Sequence, residues 1–490
     1  MPPNTSLRRS VTWLLFGNTS VQILTFLFGI VLARLLAPAD FGMLVTVQVF
    51  TGLAGFVSGG GMGQALVRAK NATEEDYKIV FTLQLFIGIA LYGVFFALAP
   101  WFAHWYDQPL YEPLLRVSAL TFIIRPLVNL PNSILHRNMQ FKAQTGARIL
   151  TLLVSSSTSI GLAAYGFGVW SLVAGGIAGS FTNAISLSAL AGWRPGLSLH
   201  LRRGGELARY GFLVSVNDVI VYIRNQVSNL IIGRVMTMEA VGLFNKSDSL
   251  NRMPHGFITT SVYQVLFRAL AKEQDDDARS GQMFLQAVRL VALYCLPCYV
   301  ALHWLALPLI ATLYGERWVS AAEPLALLAL TGPFMIVNTL SGAVLAARSW
   351  LDKELKVQIV QALLTTIAVL VGTRYGLSGV AWGLVAVSGI GALQMYWLAS
   401  RCLGVTWLQL AQALRPALIL NIVLAITIEL TTHLLDLADI DWTPLRLVII
   451  SGLGALIYGS LFLLTPLRGL ETERDKWRTK LLALTRGLVR

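Results

Sequence analysis

Four cations stand where an apolar chain tolerates them least: Arg125, Arg224, Lys246 and Arg252 lie within, or just inside the ends of, long hydrophobic runs. A charge near the centre of a bilayer costs about 2.5 to 3.5 kcal/mol on insertion scales, so each needs a partner or a wet cavity. Around Arg224 the polar residues Asn217, Asp218, Asn225, Ser228 and Asn229 recur at helical spacing, on one broad stripe with Val221 and Tyr222. Such a stripe suits a water-filled path that binds an anion, or a polar interface with a neighbouring helix. Arg224 has Val227 and Ser228 at i+3 and i+4, so it lacks a carboxylate at the spacing of a helical ion pair. Its expected role is to bind an anionic ligand, with Asn217, Asn225 and Asn229 orienting a polar head group. Arg125 precedes Pro126, Asn129 and Pro131, which predicts a kinked helix with freed carbonyls beside the guanidinium. Lys246 and Arg252 complete the cationic set, although Asp248 and Arg252 have the spacing of a simple helical ion pair. Carboxylates within apolar runs commonly relay protons or sodium ions. Asp218 is the deepest such candidate, with Asp248 and Glu429 behind it.

The elements that must carry these groups follow from composition. Of 490 residues 55% are hydrophobic and only 13% charged, and the mean hydropathy is +0.65. These values exclude a soluble globular domain and indicate a polytopic membrane protein. Runs of about 20 apolar residues, the length of a bilayer-spanning helix, recur from 10–33 to 444–466. We read fourteen of them. The run behind MPPNTSLRRS is too long for the core of a cleaved signal, so it is expected to stay. Asp40, in LAPADFG, is expected to cap the second helix.

The chain contains a repeat. FGIVLARLLAPADFGMLV, with Arg34 and Gly42, has a counterpart two hundred positions later in NLIIGRVMTMEAVGLFN, with Arg234 and Gly242. EPLLRVSAL from Glu112 pairs with EPLALLAL from Glu323, and YGFGVWSLVAG from Tyr165 with YGLSGVAWGLVAV from Tyr375. An even number of helices per copy puts both copies in the membrane the same way up, about an axis along the membrane normal. The expected architecture is all-α: a six-helix lobe at 1–192, a cytoplasmic connector at 193–207, a second six-helix lobe at 208–402, two added spans at 403–467, and a basic amphipathic tail at 468–490. Most of the 38 Lys and Arg residues fall on the side of the N-terminus, so both termini are expected in the cytoplasm. The tail is expected to lie on the anionic inner leaflet. FRALAKEQDDDARSGQMFLQAV reads as a second long inside loop, with Asp275 to Asp277 as a solvated face.

Other chemistries find little support. The chain has three cysteines, of which Cys295 and Cys298 sit within an apolar run, where packing explains them. No zinc spacing, phosphate-cradling loop or nucleophile elbow occurs, so neither cofactor nor metal is expected. A net charge of +13 tracks the inside loops of a membrane protein and implies no nucleic-acid partner.

Taken as a set, VLARLLAPADFG, ALVRAKNATEEDY, EPLLRVSALTFIIRPLVNLPNSILHRNMQFK, YGFGVW, NLIIGRVMTMEAVGLFN and SVYQVLFRALAKEQDD resemble the polysaccharide-transporter branch of the MOP superfamily. The likeness is to WzxC-type flippases and runs through residues 10 to 400. It implies two lobes around a cavity open to one side at a time. The implied cargo is an undecaprenyl-pyrophosphate-linked oligosaccharide, carried to the periplasmic leaflet of the bacterial inner membrane for exopolysaccharide, capsule or O-antigen synthesis. The implied partners are that lipid-linked oligosaccharide, membrane lipid, a coupling proton or sodium ion, and a polymerase with its export machinery. The alternatives are a MurJ-like lipid II flippase, a MATE-like small-molecule antiporter and, from another class, a membrane-embedded polymerase or ligase. A MurJ-like protein would show arginines in the first run, which offers Asn18 and Gln22 instead. An enzyme would need a sizeable outside loop, and none of those here exceeds about fifteen residues.

Overall fold

The computed structural model describes residues 20–59, 61–68, 73–198, 205–273, 275–465 and 469–488; within these, the side chains of 56–59, 68, 206–218, 220, 221, 481, 482 and 484–488 are left undescribed. Among the described residues every regular element is helical. Apolar surroundings dictate this, because a helix satisfies its own backbone donors and acceptors where water cannot. Eight described stretches are long and apolar enough to cross a bilayer, nine if the bent pair Glu316–Ala329 and Gly332–Ala347, at 51°, is one span. One of the eight, Leu351–Leu403, contains the turn at Thr373–Tyr375. The chain is therefore a multi-pass membrane protein. It divides into two compact units, Met1–Gly242 and Leu243–Arg490.

The first unit contains α1 (Ser20–Leu35), α2 (Pro38–Gly59), α3 (Met62–Arg68), α4 (Glu74–Trp105), α5 (Tyr111–Ser118), α6 (Thr121–Arg137), α7 (Phe141–Ala164), α8 (Val169–Ala191) and α9 (Gly205–Val235). Its core gathers Met43, Val47, Phe102, Tyr111, Leu114 and Val173 from α2, α4, α5 and α8. Thr73 and Asp76 form a reciprocal capping box at the start of α4. Asp40 is not the N-cap of α2. The helix begins two residues earlier, and the Asp40 carboxylate reaches back to accept from the Ala37 amide at 3.1 Å. The prolines do not end the helix. α6 runs through Pro126 and Pro131, and the interruption of this span falls upstream at Ala119 and Leu120.

Inside this unit the tips of the two repeated hairpins meet. A side chain on Gly42 would strike the Met238 carbonyl, and one on Gly242 would strike the Pro38 carbonyl. Only glycine permits such backbone approach.

The second unit continues α10 (Met238–Pro254) through a π-helical turn at His255–Thr259 into α11 (Thr260–Lys272). α12 (Asp277–Trp304), α13 (Ala306–Leu313), α14 (Ala322–Ala329), α15 (Gly332–Ala347), α16 (Leu351–Gly372), α17 (Gly376–Leu403), α18 (Trp407–Leu437), α19 (Thr443–Leu464) and α20 (Glu471–Leu488) follow. Phe284, Val288, Leu340, Val344 and Tyr396 from α12, α15 and α17 centre its core. The segment read as a long inside loop is mostly helix, since α11 extends to Lys272 and α12 starts at Asp277. Asp276 stops the loop short by capping α12, accepting from the Arg279 amide at 2.8 Å. Asp277 pairs with Arg348 at 2.7 Å.

Both units contain one antiparallel hairpin of the same design. In the first, Gly175 packs on Ser159 and Gly179 on Ser155; in the second, Gly372 packs on Gly379 and Gly383 on Ala368. Small residues at four-residue spacing let the two backbones approach, which in an apolar solvent is where helix association gains its contacts.

A cationic cavity in the first unit

α6 presents Arg125, Asn129 and Asn132 at i, i+4 and i+7, so the three share one face. That face lines a cavity of about 850 Å³ within the first unit. α8 brings Ser180 and Asn183 to the same space, α2 brings Gln48 and Thr51, α3 brings Gln64, and α9 brings Tyr222. Among the described lining residues Arg125 is the only charged side chain, and none is acidic.

The first-unit helices make room for this arrangement by omission. Gly52 and Gly55, three apart on α2, stand where a side chain would collide with the Tyr222 hydroxyl and the Arg125 guanidinium respectively. Tyr222 donates its hydroxyl to the Gln48 carbonyl at 2.9 Å, fixing one wall. Several hydroxyls are already committed to their own helices. Ser133 donates to Asn129 O and Ser180 to Gly176 O, both at 2.9 Å, and Thr51 donates to Val47 O at 3.0 Å. Gln144 donates to the side-chain oxygen of Asn132 at 2.9 Å. Asn183 differs, because its side-chain oxygen is buried without a hydrogen-bond partner. A buried unmatched acceptor is costly, and in a polar cavity it marks a position for water or ligand.

The other sequence candidates are dispersed. Asn217 and Asp218 lie on the helical backbone of α9, but their side chains fall outside the described residues. Arg224 is half-buried, Asn225 exposed and Asn229 buried, and none of the three lines the cavity. Asn229 donates to Gln226 at 2.8 Å. Lys246, in the second unit, holds its ammonium 5.2 Å from the Tyr314 ring and 5.8 Å from Trp318, an aromatic environment suited to a cation. Arg252 and Asp248 form the expected pair at 2.7 Å. Glu429, on α18, accepts from the Trp304 indole at 3.0 Å. Of the cations, the structure therefore brings Arg125 to the cavity. The carboxamides with it were not singled out as a site, although Asn129 and Asn132 stand one and two turns beyond Arg125.

Comparison with known proteins agrees with this picture of a transporter fold. The succinoglycan biosynthesis transport protein ExoT of Rhizobium meliloti (strain 1021) is 24% identical over 97% of this chain and 96% of its own length. The lipopolysaccharide biosynthesis protein WzxC of Escherichia coli (strain K12) is 23% identical over 75% of each chain. The inward closed conformation of the lipid II flippase MurJ superposes with a TM-score of 0.75 at 16% identity, covering 91% of this chain and 96% of that one. At that identity the likeness shows a shared fold. The polysaccharide biosynthesis protein family matches residues 31–323, more than half of the chain, and the chain belongs to that family.

Proposed function

We propose that this protein is a flippase, not an enzyme. In this reading it carries an undecaprenyl-pyrophosphate-linked oligosaccharide repeat unit from the cytoplasmic to the periplasmic leaflet, by alternating access, for exopolysaccharide, capsule or O-antigen synthesis. The observation that carries the reading is Arg125, half-buried in a cavity whose described lining has no acid. A diphosphate is a dianion or more, and in a medium of low dielectric a guanidinium gives it a charge-assisted, geometrically matched contact. The carboxamides around it suit a hydroxylated cargo. Family membership and relatives concerned with succinoglycan and lipopolysaccharide support the cargo class.

The alternatives fit less well. A MATE-like exporter of organic cations would work against the field of Arg125. A lipid II flippase shares the fold and would use the same anion contact, so the glycan decides between the two. A polymerase or ligase would need an exposed platform beyond the bilayer.

The rest of the reading is a bacterial inner-membrane protein with fourteen crossings, both termini cytoplasmic, and repeat halves at 1–192 and 208–402. The matched glycine hairpins of α7–α8 and α16–α17 support the repeat. Transport is coupled to a proton or sodium gradient through Asp218, since Asp248 is paired with Arg252 and Glu429 is bonded to Trp304. A polymerase and its export machinery take the product. The test is flipping of a fluorescent polyprenyl-diphosphate oligosaccharide in proteoliposomes. Arg125→Gln should cut the rate by roughly ten- to a hundredfold, the equivalent of one charge-assisted hydrogen bond of about 1.5 to 3 kcal/mol, while thermal stability in detergent stays near wild type. Unchanged flipping would remove Arg125 from the mechanism.

A further inference from the structure

The cavity has two chemistries, and only one of them is cationic. Beyond Arg125, the polar lining of α6, α8 and α3 consists of carboxamides and hydroxyls: Asn129, Asn132, Asn183 and Gln64, with Thr121, Ser133 and Ser180. These three hydroxyls donate their hydrogens to nearby backbone carbonyls, so the remaining side-chain donors of this lining are carboxamides. A carboxamide offers donors and an acceptor without charge, which is the complement of a sugar hydroxyl or acetamido group. Gln144 occupies the Asn132 oxygen and leaves the Asn132 NH₂ available to a ligand. Asn183 supplies the opposite need, a buried oxygen with no donor. From Arg125 to Asn132, α6 advances about 10 Å at 1.5 Å per residue. The belt is thus displaced along the helix from the guanidinium, as the sugars of a glycosyl diphosphate are displaced from its phosphates.

We propose that Asn129, Asn132 and Asn183 form a subsite for the neutral hexose or hexosamine nearest the diphosphate, an inference that rests on the anion contact at Arg125 argued above. A sugar carrying a carboxylate at that position would meet no cation in the belt and would be disfavoured. The site therefore selects for the first sugar, with the anion contact common to every cargo.

The test measures binding by the full-length protein in lipid nanodiscs with two probes, undecaprenyl diphosphate and undecaprenyl diphosphate bearing one neutral hexose. Wild type should bind the glycosylated probe about tenfold more tightly, a gain on the order of 1.4 kcal/mol. Asn129→Leu and Asn183→Leu, which keep the branching and heavy-atom count of asparagine without its polar atoms, should lose that gain and keep the affinity for bare undecaprenyl diphosphate. Retained binding of the bare probe also reports a folded cavity, and Asn183→Ser gives a milder second reading. Arg125→Gln should weaken both probes. Equal affinity of wild type for the two probes, or a tenfold gain that survives in both leucine variants, overturns the subsite. Bare-probe binding that ignores Arg125→Gln overturns the anion contact instead, so the two failures are distinct.

Discussion

One helix occurs twice in this chain with opposite content. α5–α6 and α14–α15 both open on Glu-Pro-Leu, both break after eight helical residues, and both resume after two more. Aligned on that break, Arg125, Asn129, Asn132 and Ser133 of α6 correspond to Ile336, Leu340, Ala343 and Val344 of α15. The first four line a cavity, whereas the second four are fully buried in the core of the second unit. The backbone plan is therefore neutral about function. The same broken span closes a core when its inner face is aliphatic and keeps a polar chamber open when that face has one cation and several carboxamides.

Exchanging one residue across the comparison should have the largest effect. Ile336→Arg places an unpaired charge among aliphatic side chains and should prevent folding, at a cost of at least about 3 to 5 kcal/mol. Membrane-inserted yield and thermal stability would register it, and a normally folded variant would break the correspondence. Next comes Gly55→Ala. The added methyl occupies the space of the Arg125 guanidinium, so flipping should fall towards the Arg125→Gln level. The helix meanwhile gains about 0.5 to 1 kcal/mol of propensity. A thermal midpoint at or above wild type alongside slow flipping is the expected pair of readings. Arg224→Gln should act more weakly on flipping than Arg125→Gln, because Arg224 is absent from the cavity lining. An equal or greater loss in the same proteoliposome assay would move the anion site to α9.

The smallest effect belongs to the C-terminal helix. The structure docks α20 on its own unit. Tyr294 donates to Glu473 at 2.7 Å, and Trp477 donates to Tyr294 at 2.8 Å. The Tyr294 hydroxyl, helped by Lys476, holds the Glu473 carboxyl below its ordinary value. A depressed carboxyl stabilises the folded state above the ordinary value near 4.3 and loses that contribution as pH falls through the folded value. The hydrogen-exchange protection of residues 471–480, measured against the intrinsic rate at each pH, should therefore fall only in acid, below about pH 4. A protection factor independent of pH in Glu473→Gln but not in wild type would confirm the source.

The class of fold was legible because it depends on run length and charge spacing, which are local. The repeat was legible too, down to Gly42 and Gly242. The site was only half legible, for a geometric reason. The polar stripe on α9 is broad, with Tyr222 and Arg224 roughly 160° apart at 100° per residue. A cavity takes one edge of such a stripe, and sequence does not say which. The structure gives the cavity the Tyr222 edge. Asn183 lies fifty-one positions from Asn132, and Tyr314 and Trp318 lie far along the chain from Lys246. Neither grouping has a local pattern to betray it. The interruption of this span at Ala119 and Leu120 has no proline to announce it, while Pro126 and Pro131 lie inside α6.

The reciprocal glycine contact has a consequence for inheritance. Gly42 meets the Met238 carbonyl and Gly242 meets the Pro38 carbonyl, so each partner's surface is the other's translated by two hundred positions. That is the self-complementarity of a two-fold homodimer, written within one polypeptide. Two separate copies of a single hairpin could make the same pair of contacts. A methyl group gained by either glycine wedges the same pair of backbones apart, so the two codons answer to one selection.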